Sequence, residues 1–445
     1  MTAVIAPSRN GIPALHVMAV VIGNGLEFYD FLSYAIFAVY IGKTFFPSHD
    51  AGANLIFSLA TFGIGFITRP IGGIVLGSLG DRIGRKPAMI LSFVLMGTGM
   101  LGVALTPGYA QIGIVAPILL VGFRLIQGFA LGGEVGPNTA YLIEAAPPAR
   151  RGFYGSMQYA SQNTATLLAA AIGLALSSIL SAHNLESWGW RIAFLLGVVI
   201  VPFGILIRRR LPETLHAADD AALAPDATTG TLEANRRIRP YAALIVVSFI
   251  LLIGATIGGY VVNYMTSYAL NTLRLSAGLA FGVVLVTSLS GLVADCVGGA
   301  LSDIYGRKPL MTRAGILLFV LVIPVFWTIT HFHSVLLFYL LMAAISILLE
   351  LSTVPVLISL TETLPPHIRS GVVATVYAFA ISIFGGSTQF VISWLIRATG
   401  SPLAPAFYWS AAIFLFLLAA FALPESSPVK LRAVAPDYRT APAAA

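Results

Sequence analysis

The chain has 445 residues, of which 58% are hydrophobic and only 10% charged, with a formal net charge of +7 and a mean hydropathy of +0.90. Soluble domains carry roughly a quarter charged residues, so this composition excludes a water-soluble enzyme or binding module. The single cysteine, Cys296, lies in an apolar segment, which excludes a disulfide framework and a thiolate metal cluster.

Crossing ~30 Å of hydrocarbon takes about 20 apolar residues as a helix. Twelve runs meet that length: 14–41, 53–79, 87–107, 111–143, 152–181, 189–208, 241–270, 277–302, 308–330, 334–362, 371–399 and 404–423. The expected fold is an all-α polytopic membrane protein with twelve spans in two six-helix bundles. The first run is too long for a signal peptide and is expected to stay as a helix. The expected division is 1–208 as the first bundle, 209–240 as a polar linker, 241–423 as the second bundle and 424–445 as a Pro/Ala-rich tail.

Two loop sequences recur. Gly77-Ser-Leu-Gly-Asp81-Arg82-Ile-Gly84-Arg85-Lys86-Pro87 follows span 2, and Gly299-Ala-Leu-Ser-Asp303-Ile-Tyr-Gly306-Arg307-Lys308-Pro309 follows span 8. Glu144-Ala-Ala-Pro-Pro-Ala-Arg-Arg151 and Glu362-Thr-Leu-Pro-Pro-His-Ile-Arg369 form a second pair. Such a duplication suits a transporter whose site lies between two bundles. Asp81, Arg85, Asp303 and Arg307 are expected at one mouth as gate latches rather than ligands, since charge pairs and helix ends there can close in one state and release in the other.

Basic residues set the expected orientation. Nineteen of the 25 Lys and Arg fall on the side holding both termini and the repeated loops, and four, Lys43, Arg191, Arg274 and Arg397, fall opposite. Both termini are therefore expected in the cytoplasm. Arg69 and Arg124 lie inside the apolar runs.

Ionisable groups within the membrane are costly and usually face the bundle interior or a wet cavity. Here they are Glu27, Asp30, Arg69, Arg124, Glu134, Asp295 and Glu350. Arg69 lies roughly 18 Å of helix before Asp81, and Glu350 the same depth before Glu362, both near the midplane. Glu27 and Asp30 share a face of span 1. Two readings stand for the arginines: substrate ligands, or structural partners of Glu27 and Asp30. Asp295, two turns before the second loop, reads as structural.

Span 4 has two faces. Arg124, Gly128, Gly132 and Gly136 repeat every four residues, as close helix packing needs. Gln127, Glu134, Asn138 and Tyr141 form a polar face expected to line a cavity. Span 5 carries Gln158, Tyr159, Ser161, Gln162, Asn163 and Thr164, and span 7 carries Tyr260, Asn263, Tyr264 and Tyr268. Interhelical hydrogen bonding or packing is the alternative role for these residues.

The repeated loop resembles the signature G-x-L-x-D-R-x-G-R-[RK] of the major facilitator superfamily; the second copy has Ile304 in place of Arg. Arg124-Leu-Ile-Gln127-Gly128 is similar to that superfamily's R-x-x-Q-G. Four further segments resemble the metabolite:proton symporter family: Gly23-Asn24-Gly25-Leu26-Glu27-Phe28-Tyr29-Asp30-Phe31, Gly65-Phe66-Ile67-Thr68-Arg69-Pro70-Ile71-Gly72, Gln127-Gly128-Phe129-Ala130-Leu131-Gly132-Gly133-Glu134 and Trp188-Gly189-Trp190-Arg191-Ile192. The resemblance spans nearly the whole chain. It implies proton-coupled import of a small carboxylate such as citrate, tricarballylate or 2-oxoglutarate, or of an osmolyte such as proline or betaine. Ser161-Gln162-Asn163 and Phe384-Gly385-Gly386-Ser387 lean toward the citrate and tricarballylate branch. Tyr264-Met265-Thr266-Ser267-Tyr268 departs from the family, where a Pro often follows the Met, and Glu350 is an added acid.

The expected function is symport of an organic anion by alternating access. The expected substrate-binding set is Arg69, Arg124, Gln158, Gln162, Asn163, Tyr260 and Tyr264, since Arg offers carboxylates a planar fork. The expected proton-coupling set is Glu27, Asp30, Glu134 and Glu350. No cofactor, metal or nucleic acid is expected, and the family default is a monomer. Proton-driven export is disfavoured because 152–181 has no Pro, where exporters of this kind carry a Gly-Pro-rich motif. A membrane enzyme is disfavoured because no metal-ligand pair or nucleophile-base grouping lies in the apolar runs; His16, His331 and His333 sit near their ends. A transporter-like sensor would need a signalling domain larger than the linker or tail.

Overall fold

The computed structural model describes residues 14–48, 50–83, 85–132, 139, 141–143, 146–210, 239–332, 334–364 and 366–430. Most of the expected linker and tail, Glu134, Asn138 and the side chains of Asp81 and Arg85 lie outside the described residues. Apolar sequence in lipid must satisfy its own backbone, and a helix does so within one segment. The helices in chain order are α1 (Ala14–Phe45), α2 (Ala51–Ile64), α3 (Arg69–Ile83), α4 (Arg85–Leu105), α5 (Val115–Leu131), α6 (Arg151–Ile179), α7 (Trp190–Arg210), α8 (Ala242–Asn263), α9 (Met265–Asn271), α10 (Ala277–Tyr305), α11 (Arg307–His331), α12 (Val335–Thr363), α13 (Pro366–Ala380), α14 (Gly386–Thr399) and α15 (Ala404–Ala422). Among the described residues, eight helical stretches are long and apolar enough to cross a membrane. Helices α1, α4, α5 and α7 occupy the places of the other four expected spans.

Three expected spans are interrupted. Span 2 breaks into α2 and α3 at the turn Gly65–Thr68. Gly65 loosens the helix there, and Pro70 suits the first turn of a new one. Span 7 breaks at Tyr264, between α8 and α9. Span 11 contains a π-helical turn, Ile381–Gly385, between α13 and α14. Such turns are frequent at functional positions.

Small residues set how closely the helices cross. A Cβ on Gly128 would strike the carbonyl oxygen of Gly65, and one on Gly132 that of Arg69. Gly72 answers from α3 against the carbonyl of Phe129. Helices α3 and α5 thus meet backbone to backbone, and the break before α3 lies at this crossing. Thr68 Oγ1 donates to the Leu125 carbonyl at 2.8 Å and pins the break to α5. Helices α6 and α10 pack in the same way, with Gly152, Ser156, Gly299 and Ser302 at their shared surface. This pair joins the first half of the chain to the second.

Candidate functional site

Arg69 opens α3 and is 5% exposed; Arg124 lies on the glycine face of α5 and is 0% exposed. Both stack on aromatic rings. The Arg69 guanidinium carbon is 4.4 Å from the Phe31 centroid and 4.3 Å from that of Phe66. That of Arg124 is 4.9 Å from Phe31 and 4.4 Å from Tyr34. Contacts of this kind offset part of the desolvation cost of a buried cation. Hydrogen bonding does not complete the rest: among the described residues, Nε and Nη2 of both arginines have no partner. Among the described residues neither arginine makes an ion pair.

The direct pairing of Arg124 with Asp30 that the sequence left open is replaced by a relay. Arg124 Nη1 donates to Gln127 Oε1 at 2.8 Å, and Gln127 Nε2 donates to Asp30 Oδ1 at 3.0 Å. Gln127 is fully buried in this relay. Glu27 is buried one turn earlier on α1. Gln158 binds the same helix: its Nε2 donates to Asn24 Oδ1 at 2.8 Å, and Asn24 Nδ2 donates to Ser161 Oγ at 2.6 Å. These bonds tie α6 to α1.

A cavity of about 110 Å³ lies between α1 and α6 on one side and α8, α10, α12 and α13 on the other. Its polar wall includes Tyr159, Gln162, Asn163, Tyr260, Glu350 and Tyr377. Gln162 Nε2 and the Tyr159 hydroxyl are buried without partners among the described residues. Arg69, Arg124, Gln158 and Tyr264 are not among the lining residues. An aromatic layer stands between the arginines and the cavity. Tyr260 lines the cavity and packs on Phe62 and Phe66 at 6.0 and 5.8 Å, and those rings touch Arg124 and Arg69 in turn. Asp295, read from sequence as structural, meets Glu350 at the amide of Asn163.

At the end carrying the repeated loops, Asp303 accepts from the backbone N–H of Gly152 at 2.8 Å and Phe153 at 3.0 Å. A carboxylate of α10 thereby caps the N-terminus of α6, across the two halves. Arg307 holds that carboxylate from behind, pairing with Asp303 at 2.8 Å and with Glu362 at 3.0 Å. The turn uses Gly306 at φ +100, a conformation natural to glycine. Asp303→Asn keeps the shape but removes the charge. A cysteine at Ser156, buried against Gly299, is then expected to label about 5- to 150-fold faster on a Cys296→Ser background, the range of a typical coupling free energy. Unchanged labelling in folded protein would make this contact scaffolding.

Sequence reasoning missed Glu425. Its carboxylate accepts from the N–H groups of Arg307 and Lys308 at 2.9 and 3.2 Å, capping α11, while Ser426 Oγ donates to Glu362 at 3.0 Å. A signal was present. Leu211-Pro212-Glu213-Thr214 and Leu423-Pro424-Glu425-Ser426 are a third internal repeat, one after each half.

The opposite end also holds contacts between the halves. Phe281 of α10 packs on Phe37 and Tyr40 of α1 at 5.2 and 6.2 Å, and Arg397 pairs with Asp50. The cavity therefore lies between two sets of inter-half contacts.

Comparison with known proteins agrees with this architecture. The Major Facilitator Superfamily profile matches residues 20–389. A citrate-proton symporter of Klebsiella pneumoniae is 35% identical over 418 residues, covering 94% of this chain and 93% of the relative. An alpha-ketoglutarate permease of Escherichia coli strain K12 is 33% identical, with 87% and 88% covered. A putative proline/betaine transporter of Staphylococcus aureus strain COL is 34% identical, with 91% and 87% covered. The fold matches the partially occluded inward-open xylose transporter XylE from E. coli with a TM-score of 0.73 at 18% identity, covering 93% of this chain and 98% of that one. The chain thus belongs to the Major Facilitator Superfamily and, within it, to the metabolite:proton symporter family, whose members are membrane transporters and not enzymes.

Proposed function

We propose that this chain imports a small organic anion with protons by alternating access, and that the anion is a di- or tricarboxylate such as citrate or tricarballylate. The observation carrying this reading is a surplus of buried donors. Among the described residues, Arg69 and Arg124 each leave two guanidinium nitrogens without a partner, and Gln162 Nε2 is a fifth orphaned donor. A buried polar group left unpaired costs about 1–3 kcal/mol, more when charged. An acceptor-rich ligand removes that cost. A carboxylate fits the guanidinium fork in two parallel hydrogen bonds. The relatives named as citrate-proton symporters support the same substrate class. In this reading Tyr260 and the aromatic layer shift when the anion engages the arginines.

One observation favours a second reading. Phe28, Tyr159, Tyr260, Tyr377 and Glu350 all line the cavity. Aromatic faces with an acid suit a quaternary ammonium, so a zwitterion such as betaine is the alternative. 2-Oxoglutarate is the alternative within the carboxylate class. The proposal includes the division into bundles 1–208 and 241–423 with linker 209–240 and tail 424–445. It also includes a bacterial inner-membrane location with both termini cytoplasmic, and a monomeric transporter.

The test is uptake into proteoliposomes under an imposed pH gradient, with citrate, tricarballylate, 2-oxoglutarate, succinate, proline and betaine side by side. Accumulation of a di- or tricarboxylate, collapsed by a protonophore, is the expected result. Accumulation of betaine alone moves the assignment to the second reading. Gly259 offers a finer probe, because it lines the cavity and a Cβ there would meet nothing within 4 Å. Gly259→Leu should fill that space and raise KM more for the larger carboxylates than for succinate. Equal effects on all of them would place the substrate elsewhere.

A further inference from the structure

The two acids of the second half meet the first half at one amide. Asn163 Nδ2 on α6 donates to Asp295 Oδ2 on α10 at 2.8 Å and to Glu350 Oε1 on α12 at 3.1 Å. Both hydrogens of that amide are thereby used, one for each acid. The approach is built into the helices. Gly291 lies one turn before Asp295, and a Cβ there would meet Asn163 Nδ2 and Oδ1 at 2.9 and 3.0 Å. Asp295 is 0% exposed, and among the described residues its Oδ1 has no hydrogen-bond partner. Glu350 lines the cavity, and its Oε2 has a long 3.4 Å contact with Thr353 Oγ1. Among the described residues neither acid has an ion-pair partner. The titratable groups facing them are Tyr159 of α6 and Cys296 of α10, while Tyr260 of α8 and Tyr377 of α13 line the same cavity as Glu350.

Two ionised carboxylates on one amide, buried and without a cation, repel each other strongly. A single proton changes the arrangement: one carboxyl becomes a donor, and its hydrogen can reach the oxygen that now lacks a partner. We propose that Asp295 and Glu350 form a shared proton site, and that Asn163 ties its occupancy to the contact between the two halves. The proton comes from water through the cavity onto one carboxylate oxygen and leaves by the same atoms; no electrons move. When it leaves, two like charges repel each other across one amide and the α6–α10 contact weakens. This rests on the proton-symport reading and adds Asp295, a residue that sequence pattern alone made structural. Asn163 becomes a positioning residue rather than a substrate ligand.

The experiment uses the full chain in lipid nanodiscs without substrate, with proton uptake followed by a pH-indicator dye. Coupled acids titrate as a pair in two macroscopic steps. The wild type should therefore show two separated steps that Asp295→Asn and Glu350→Gln each convert to one step between them, with neither left in the double variant. In proteoliposomes each single variant should lower pH-driven accumulation about 5- to 150-fold and counterflow exchange by less, and the double variant should be no worse. Single-variant losses that simply add up to the wild-type curve overturn the shared site, as does a curve that neither substitution alters. Should Asp295→Asn fail to fold, Asn163→Ala decides, since it leaves both acids in place. The two steps should remain while uphill accumulation is lost, and retained accumulation overturns the role of Asn163. If wild-type vesicles accumulate none of the solutes, the symport reading fails, and the dye titration still decides the shared proton.

Discussion

Arg69→Lys and Arg124→Lys are each expected to lower anion affinity about 10- to 150-fold while leaving protein abundance unchanged. A hydrogen bond to a charged group contributes about 1.5–3 kcal/mol, and lysine cannot offer the two parallel donors of a guanidinium. The same residues should show an opposite effect on stability. Each guanidinium is buried with two nitrogens unpartnered among the described residues. Replacing such a charge by an apolar group of similar volume relieves a desolvation penalty. Arg69→Met should therefore raise the melting temperature of the substrate-free protein and abolish transport. Citrate should raise the melting temperature of the wild type and not of this variant. A destabilised Arg69→Met protein, or one that still responds to citrate, would assign Arg69 to structure. Arg124 is a milder case, because Gln127 already occupies one of its nitrogens.

The duplicated loops and the twelve apolar runs made the architecture legible, because lipid allows little besides helices and because the repeat fixes which helices correspond. The interruptions were less legible. Gly65 and Pro70 marked the break before α3, but a continuous apolar run conceals a turn whose backbone is satisfied by a neighbour, here through Thr68 and the Leu125 carbonyl. Tyr264 carries no such mark.

The site was legible by residue type and not by partner. Burial of the arginines follows from their depth in apolar runs. That Arg124 reaches Asp30 through Gln127 does not, since α1 and α5 come together only in the folded bundle. The meeting of Asp295 with Glu350 and Asn163 spans three helices and both halves. Gly291 was the one local clue, a small residue one turn from an intramembrane acid. Glu425 was missed because a Pro-containing segment after the last span reads as tail. Its twin at Glu213 was the signal that could have corrected this.

Gly128→Val is expected to have the largest structural effect of any single change considered. The new side chain would begin inside the carbonyl oxygen of Gly65. A flexible side chain could swing away from that clash, but a backbone carbonyl moves only with its helix. Inserting methylenes into a packed interior costs typically 1–3 kcal/mol, and here α3 and α5 must separate along their whole crossing. The separation has a functional cost as well, because the carbonyl of Arg69 rests against Gly132 on the same face. One side of α5 therefore both packs against α3 and sets where the arginines sit. Folded yield by size-exclusion chromatography should fall to near zero, and any surviving protein should have lost its response to citrate. Gly122→Ala supplies the control on the same helix, since a Cβ there would meet nothing within 4 Å and alanine in place of glycine changes helix stability by only about 0.5–1 kcal/mol. Normal melting and transport in Gly128→Val would mean that α3 and α5 do not cross backbone to backbone, and the placement of Arg69 beside Arg124 would fall with that crossing.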